Sequence, residues 1–77
     1  MWIETQDGEL VNVDFVKYFY IRGKLLMAEF AGGGNVVIAE YSDNNAAKKA
    51  VEKFEEKIRR TDKRFFKFEK ESGANDN

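Results

Sequence analysis

Five basic residues fall among the ten positions from Arg59 to Phe68 (Arg59, Arg60, Lys63, Arg64 and Lys67), interleaved with Phe65, Phe66 and Phe68. Cations placed beside aromatic rings are what a single-stranded nucleic acid requires: charge for its phosphates and flat faces on which its bases stack. On this reading Arg59, Arg60, Lys63, Arg64, Phe65 and Lys67 make the contacts, and the chain is a weak nucleic-acid binder. The competing reading packs Phe66 and Phe68 inward and leaves the cations in water or paired with acidic residues. A formal net charge of −1, with Glu69 and Glu71 close by, favours that second reading.

A second set of residues suits protein recognition. Trp2, Tyr18, Phe19 and Tyr20 could form an aromatic patch, and the stretch from Val16 to Arg22 is apolar or aromatic on both of its alternating faces. Such a strand is either central in a sheet or meets a partner, and a free strand edge accepts another strand from a second copy or a different protein. The principal functional expectation is therefore a small non-catalytic interaction module that self-associates or binds protein. No small-molecule substrate is evident.

Other chemistry lacks its constellation. Gly32-Gly33-Gly34 is followed by Asn35 and a strand, whereas a phosphate-cradling loop needs a helix N-terminus directly after its glycines. It reads as a hairpin turn. Asp7, Glu9, Asp14, Glu29 and Glu40 include possible cross-strand neighbours (Glu29 with Glu40), but nothing around them would raise a carboxylate pKa, and their spacing is not that of a calcium loop. The chain has neither cysteine nor histidine, which removes disulfides, thiolate metal sites and the usual neutral-pH general base. The expectation is no enzyme, no cofactor and no metal.

The element that must position these residues is a helix from Ser42 to about Arg60. Ala47, Ala50, Val51, Phe54 and Ile58 recur at spacings of three and four, so they share one stripe. Ser42 and Asp43 suit its cap, and Glu55 with Arg59 and Glu56 with Arg60 are acid-before-base pairs four apart. Upstream the pattern is strand and turn. Trp2–Thr5 and Leu10–Val13 form a hairpin about Gly8, followed by a bend near Asp14. Val16–Arg22, Leu25–Ala31 and Val36–Tyr41 are further strands. Alternation groups Val37, Ala39 and Tyr41 against Val36, Ile38 and Glu40, with the first set slightly favoured as the buried one. Arg64–Glu69 is a short final strand or an extended arm, and residues 72–77 are a polar tail.

Residues 1–71 thus make a single α+β domain: an antiparallel sheet of about four to five short strands, packed by one C-terminal amphipathic helix. The expected core is Ile3, Val11, Val16, Leu26, Ala28, Phe30, Ala39, Ala50, Val51, Phe54 and Ile58. Residues 1–47 carry a balance of −4 and residues 48–77 a balance of +3, read as internal pairing between an acidic sheet and a basic helix. No apolar run approaches the length of a bilayer span, and Met1-Trp2-Ile3-Glu4 lacks the start of a signal peptide, so no membrane and a cytoplasmic location are expected.

Trp2-Ile3, Asp7-Gly8, Leu10-Val11-Asn12, the aromatic strand, and Ala39-Glu40-Tyr41-Ser42 leading into an Ala- and Lys-rich helix together resemble a group of small single-domain proteins of Gram-positive bacteria and their prophages. The resemblance spans residues 1 to about 68. It implies a strand-rich sheet closed by a C-terminal helix, loosely similar to half of a pleckstrin-homology-like barrel. The group has no established activity to carry over.

Overall fold

The computed structural model describes residues 1–60, without the side chain of Arg60, and residues 64–70. Its elements in chain order are β1 (Trp2–Glu4), β2 (Leu10–Asn12), a 3-10 turn (Val13–Phe15), β3 (Val16–Arg22), β4 (Leu25–Phe30), β5 (Asn35–Glu40), α1 (Asn44–Arg60) and β6 (Phe65–Lys67). The class is α+β. The expected single antiparallel sheet is instead two sheets of three strands, ordered β2-β1-β6 and β3-β4-β5, which do not close into a barrel.

The first sheet is mixed. β1 pairs antiparallel with β2 and parallel with β6, bringing Trp2 opposite both Asn12 and Phe65 and Ile3 opposite Val11 and Phe66. The connection from β1 to β6 runs through β2, the second sheet and α1, long enough to bring the chain back in the same direction. The β1–β2 turn has Gly8 at φ +91°, a left-handed conformation costly to any residue with a Cβ. The bend after β2 is set by Asn12, whose Oδ1 accepts a hydrogen bond from the Asp14 N–H at 3.0 Å.

The second sheet is an antiparallel meander with a register shift in each outer strand. In β5, Leu26 pairs with Ala39 but Met27 pairs with Val37, leaving Ile38 as the extra residue of a bulge. A bulge resets strand alternation. Ile38 before the reset and Ala39 and Tyr41 after it are all buried, while Val37 and Glu40 face out. Of the favoured set Ala39 and Tyr41 are buried and Val37 is not; of the other set Ile38 is buried, Val36 half-buried and Glu40 exposed. The glycine-rich loop before β5 is a hairpin connection, closed by Phe30 N–H to Gly34 O at 3.0 Å and Gly33 N–H to Phe30 O at 2.9 Å.

Asp43 caps α1, with its Oδ1 accepting from the Ala46 N–H at 2.8 Å. The helix lies against β3 and β4. Phe54 is its anchor, 5.5 Å from the ring of Phe19, 5.0 Å from Phe66 and 5.2 Å from Phe68. One contiguous core cluster joins Ile3 and Val11 of the first sheet, Leu26, Ala28, Ile38 and Ala39 of the second, Ala47 and Phe54 of the helix, and Tyr41 and Phe68 beyond them. Val16, Phe30, Ala50 and Val51 are half-buried against it. Ile58, expected in the core, is 41% exposed and is absent from the residues packed against the core cluster.

Candidate functional site

The outer face of the second sheet, opposite the helix, is built by cross-strand rows. Tyr20, Met27 and Val37 stand side by side on β3, β4 and β5, and the row beside them is Tyr18, Glu29 and Asn35. Tyr18 and Tyr20 meet edge to face with ring centroids 5.7 Å apart, and the Arg22 guanidinium lies 6.0 Å from the Tyr20 ring centre. Asn35 Nδ2 donates to the Tyr20 hydroxyl at 3.3 Å. Met27 is buried yet stands apart from the core cluster, so its cover comes from these outer-face neighbours. The Glu29 carboxylate beside Tyr18 raises that phenol above its usual pKa, first through its charge and then through partial desolvation and a hydrogen bond between the two side chains.

β3 is also an edge. Among the described residues its hydrogen-bonded strand partner is β4 alone, which leaves one side of a seven-residue strand open. β5, on the other edge, is partly covered: Gln6 N–H donates to Ile38 O at 3.0 Å and Glu40 N–H donates to Gln6 Oε1 at 2.8 Å.

The expected protein patch is thereby divided. Tyr18 and Tyr20 share the outer face. Phe19 points the other way and packs on Phe54, since neighbouring residues of a strand face opposite sides. Trp2 belongs to the other sheet. Its outer face carries Trp2 at 47% exposure beside Phe65 at 46%, with Glu4 opposite Lys67 in the next row. On the outer face of the second sheet Val37 adds an exposed aliphatic residue, and Met27 lies buried beneath its neighbours.

The basic-aromatic segment is divided as well. Phe66 and Phe68 are inward members of the ring cluster, 4.9 Å apart. Arg64, Phe65 and Lys67 are exposed, and Arg59 pairs with Glu55 at 3.8 Å along the helix. Lys63 and the side chain of Arg60 lie outside the described residues. The ion pairs Met1 N-terminus–Asp14, Lys24–Glu40 and Glu55–Arg59 each fall within one half of the chain, so they are local and do not bridge sheet to helix.

For acid–base chemistry the geometry brings little together. Glu29 and Glu40 are not neighbours: Glu29 pairs with Tyr18 and Asn35, while Glu40 pairs with Leu25 at the opposite end of β4. Among the described residues no group of three or more His, Cys, Asp or Glu is placed to hold a metal, and no helix is long and apolar enough to cross a membrane. No family model matches the chain, and neither a curated protein nor a solved structure matches it.

Proposed function

We propose that the chain is a small non-catalytic interaction module that self-associates through the open edge of β3 and the aromatic face beside it. The observation that carries this reading is the coincidence of the two on one strand. The free edge offers main-chain hydrogen bonds, and Tyr18 and Tyr20 on β3 itself offer apolar cover for an added strand. Tyrosine anchors of this kind concentrate binding energy because they bury large area at low conformational cost. Two copies related by a twofold axis would pair β3 with β3 antiparallel and extend each three-stranded sheet into one of six.

The test is the mass in solution as a function of concentration. The expected result is a rise toward a dimer that the double variant Tyr18→Lys, Tyr20→Lys abolishes while its circular dichroism is retained, since charge on an edge opposes strand pairing. A wild-type chain that stays monomeric to millimolar concentration overturns self-association.

A second reading rests on a different observation: Trp2 and Phe65 are cross-strand partners with open faces, flanked by Arg64 and Lys67. That arrangement suits stacking of single-stranded bases on a sheet, with the cations on phosphates. The adjacent Glu4 and the net charge of −1 weaken it, and it ranks second. Kinship with the small proteins of Gram-positive bacteria and prophages, and an arrangement akin to half of a pleckstrin-homology-like barrel, are part of the same proposal. The joining of the two sheets at the Gln6 corner supports the half-barrel comparison. A cytoplasmic location accords with a chain that has no cysteine.

A further inference from the structure

The helix and the chain leaving β6 enclose a groove of about 510 Å³ that the sheet-face reading does not use. On the helix side Ala46, Lys49, Ala50 and Lys53 fall at spacings of three and four, so they share one face. The two alanines set the wall back, and the two lysines stand at its rim. Lys67 and Lys70 rise from the opposite wall. All four lysines are exposed, and none has an ion-pair partner among the described residues. Lys49 and Lys53 are like charges four apart on this face, with Glu52 and Glu56 three residues after each of them on the side of the helix away from the groove lining. Glu69 is the one carboxylate in the lining, and its backbone carbonyl accepts from Gln6 Nε2 at 3.0 Å.

The floor is apolar. Tyr41 and Phe68 are buried and Phe66 is half-buried, with Phe66 and Phe68 packed edge to face on each other and tilted against Phe54. Packing on Phe54 holds these rings in place, and the groove they floor is distinct from the Trp2–Phe65 face because Phe66 points to the opposite side of β6 from Phe65. It offers contact to an aliphatic or aromatic side chain laid across it, ringed by four ammonium groups. Charge complementarity then fixes the occupant's chemistry.

We propose that this groove docks an acidic peptide segment of a partner protein, with one apolar anchor flanked on both sides by Asp or Glu. The lysines supply steering and register, and the apolar floor supplies the contact that distinguishes such a segment from a mere polyanion.

The probe is a blocked synthetic heptapeptide with one Phe between two runs of three acidic residues, titrated into the isotope-labelled full chain while amide spectra are recorded. The expected result is saturable shifts at Ala46, Lys49, Ala50, Lys53 and Phe66–Lys70. Binding should weaken by about tenfold or more in the double variant Lys49→Glu, Lys53→Glu, whose spectrum away from the groove reports that the fold is kept. The same peptide with Ser in place of Phe should bind markedly more weakly. Equal binding of the Ser peptide, or tighter binding of an eight-nucleotide oligothymidylate to the same residues, overturns the proposal. So does binding that appears only after residues 71–77 are deleted, which would make the chain's own end the occupant. A dimerisation abolished by Lys49→Glu, Lys53→Glu would make it a second copy. Because Tyr18 and Tyr20 stand on the sheet face opposite the helix, failure here leaves their result untouched, and the reverse.

Discussion

Gln6 Oε1 accepts a hydrogen bond from the backbone N–H of Glu40 at 2.8 Å, across the seam where the two sheets meet. The same residue donates its backbone N–H to Ile38 O at 3.0 Å and its side-chain Nε2 to Glu69 O at 3.0 Å. One glutamine thus ties the end of β1 to β5 and to the chain after β6. The backbone bond survives any side-chain change, and the two side-chain bonds do not. Gln6→Ala should therefore cost about 1–2 kcal/mol, the net worth of two partly solvated hydrogen bonds. Urea denaturation of the variant measures it, and an unchanged midpoint would mean that the seam is held by the core alone.

Phe54 on the helix packs against rings from both sides, Phe19 on one and Phe66 and Phe68 on the other. Phe54→Ala should cost about 3–5 kcal/mol, a large share of what a domain of this size has. Ile58→Ala, at a residue 41% exposed, should cost about 1 kcal/mol or less. The pair of melting curves checks whether the helix docks through its middle, and similar losses for both variants would contradict it.

The sequence made the helix, its Asp43 cap, the hairpins and the inward residues of β4 legible, because each depends on local spacing and on residues near one another in the chain. What it hid was non-local. The parallel pairing of β1 with β6 joins segments more than sixty residues apart and is favoured by Phe66 and Phe68 meeting Phe54, not by any signal in Phe65–Lys67. The bulge at Ile38 broke the period-two rule on which the inner face of β5 was judged. For the candidate surface, alternation placed Tyr18 and Tyr20 on one face of their strand, where Tyr18 is exposed and Tyr20 half-buried. The removal of Phe19 to the core and the union of Trp2 with Phe65 required the strand order.

Tyr18 and Glu29 are cross-strand partners on the outer sheet face, and the carboxylate's charge, ahead of desolvation and their hydrogen bond, raises the phenol above its ordinary value of 10.0. A pKa higher in the folded chain than in the unfolded one means that the interaction stabilises below about pH 10 and is lost as the pH climbs through the raised value. Glu29→Gln should move one tyrosine's ionisation to lower pH in an absorbance titration at alkaline pH, with Tyr18→Phe identifying which curve is affected. No displacement would place the carboxylate away from the phenol in solution.

Trp2 is the single tryptophan of the chain, half exposed beside Phe65, and it gives the nucleic-acid reading a direct optical test. A base stacked between or upon these rings would quench indole fluorescence, and phosphate contacts from Arg64 and Lys67 would make the quenching fall steeply with salt. If the outer face of the first sheet binds single strands, an oligothymidylate should quench Trp2 at low salt, and Phe65→Ala should weaken that binding by about 1–3 kcal/mol, the worth of one stacked base. If the chain acts through β3 instead, the oligonucleotide should leave Trp2 unchanged at every salt concentration while self-association persists. The two readings use opposite sheets, so a single sample carrying Tyr18→Lys and Tyr20→Lys separates them: it should lose the dimer and keep whatever quenching the wild-type chain shows.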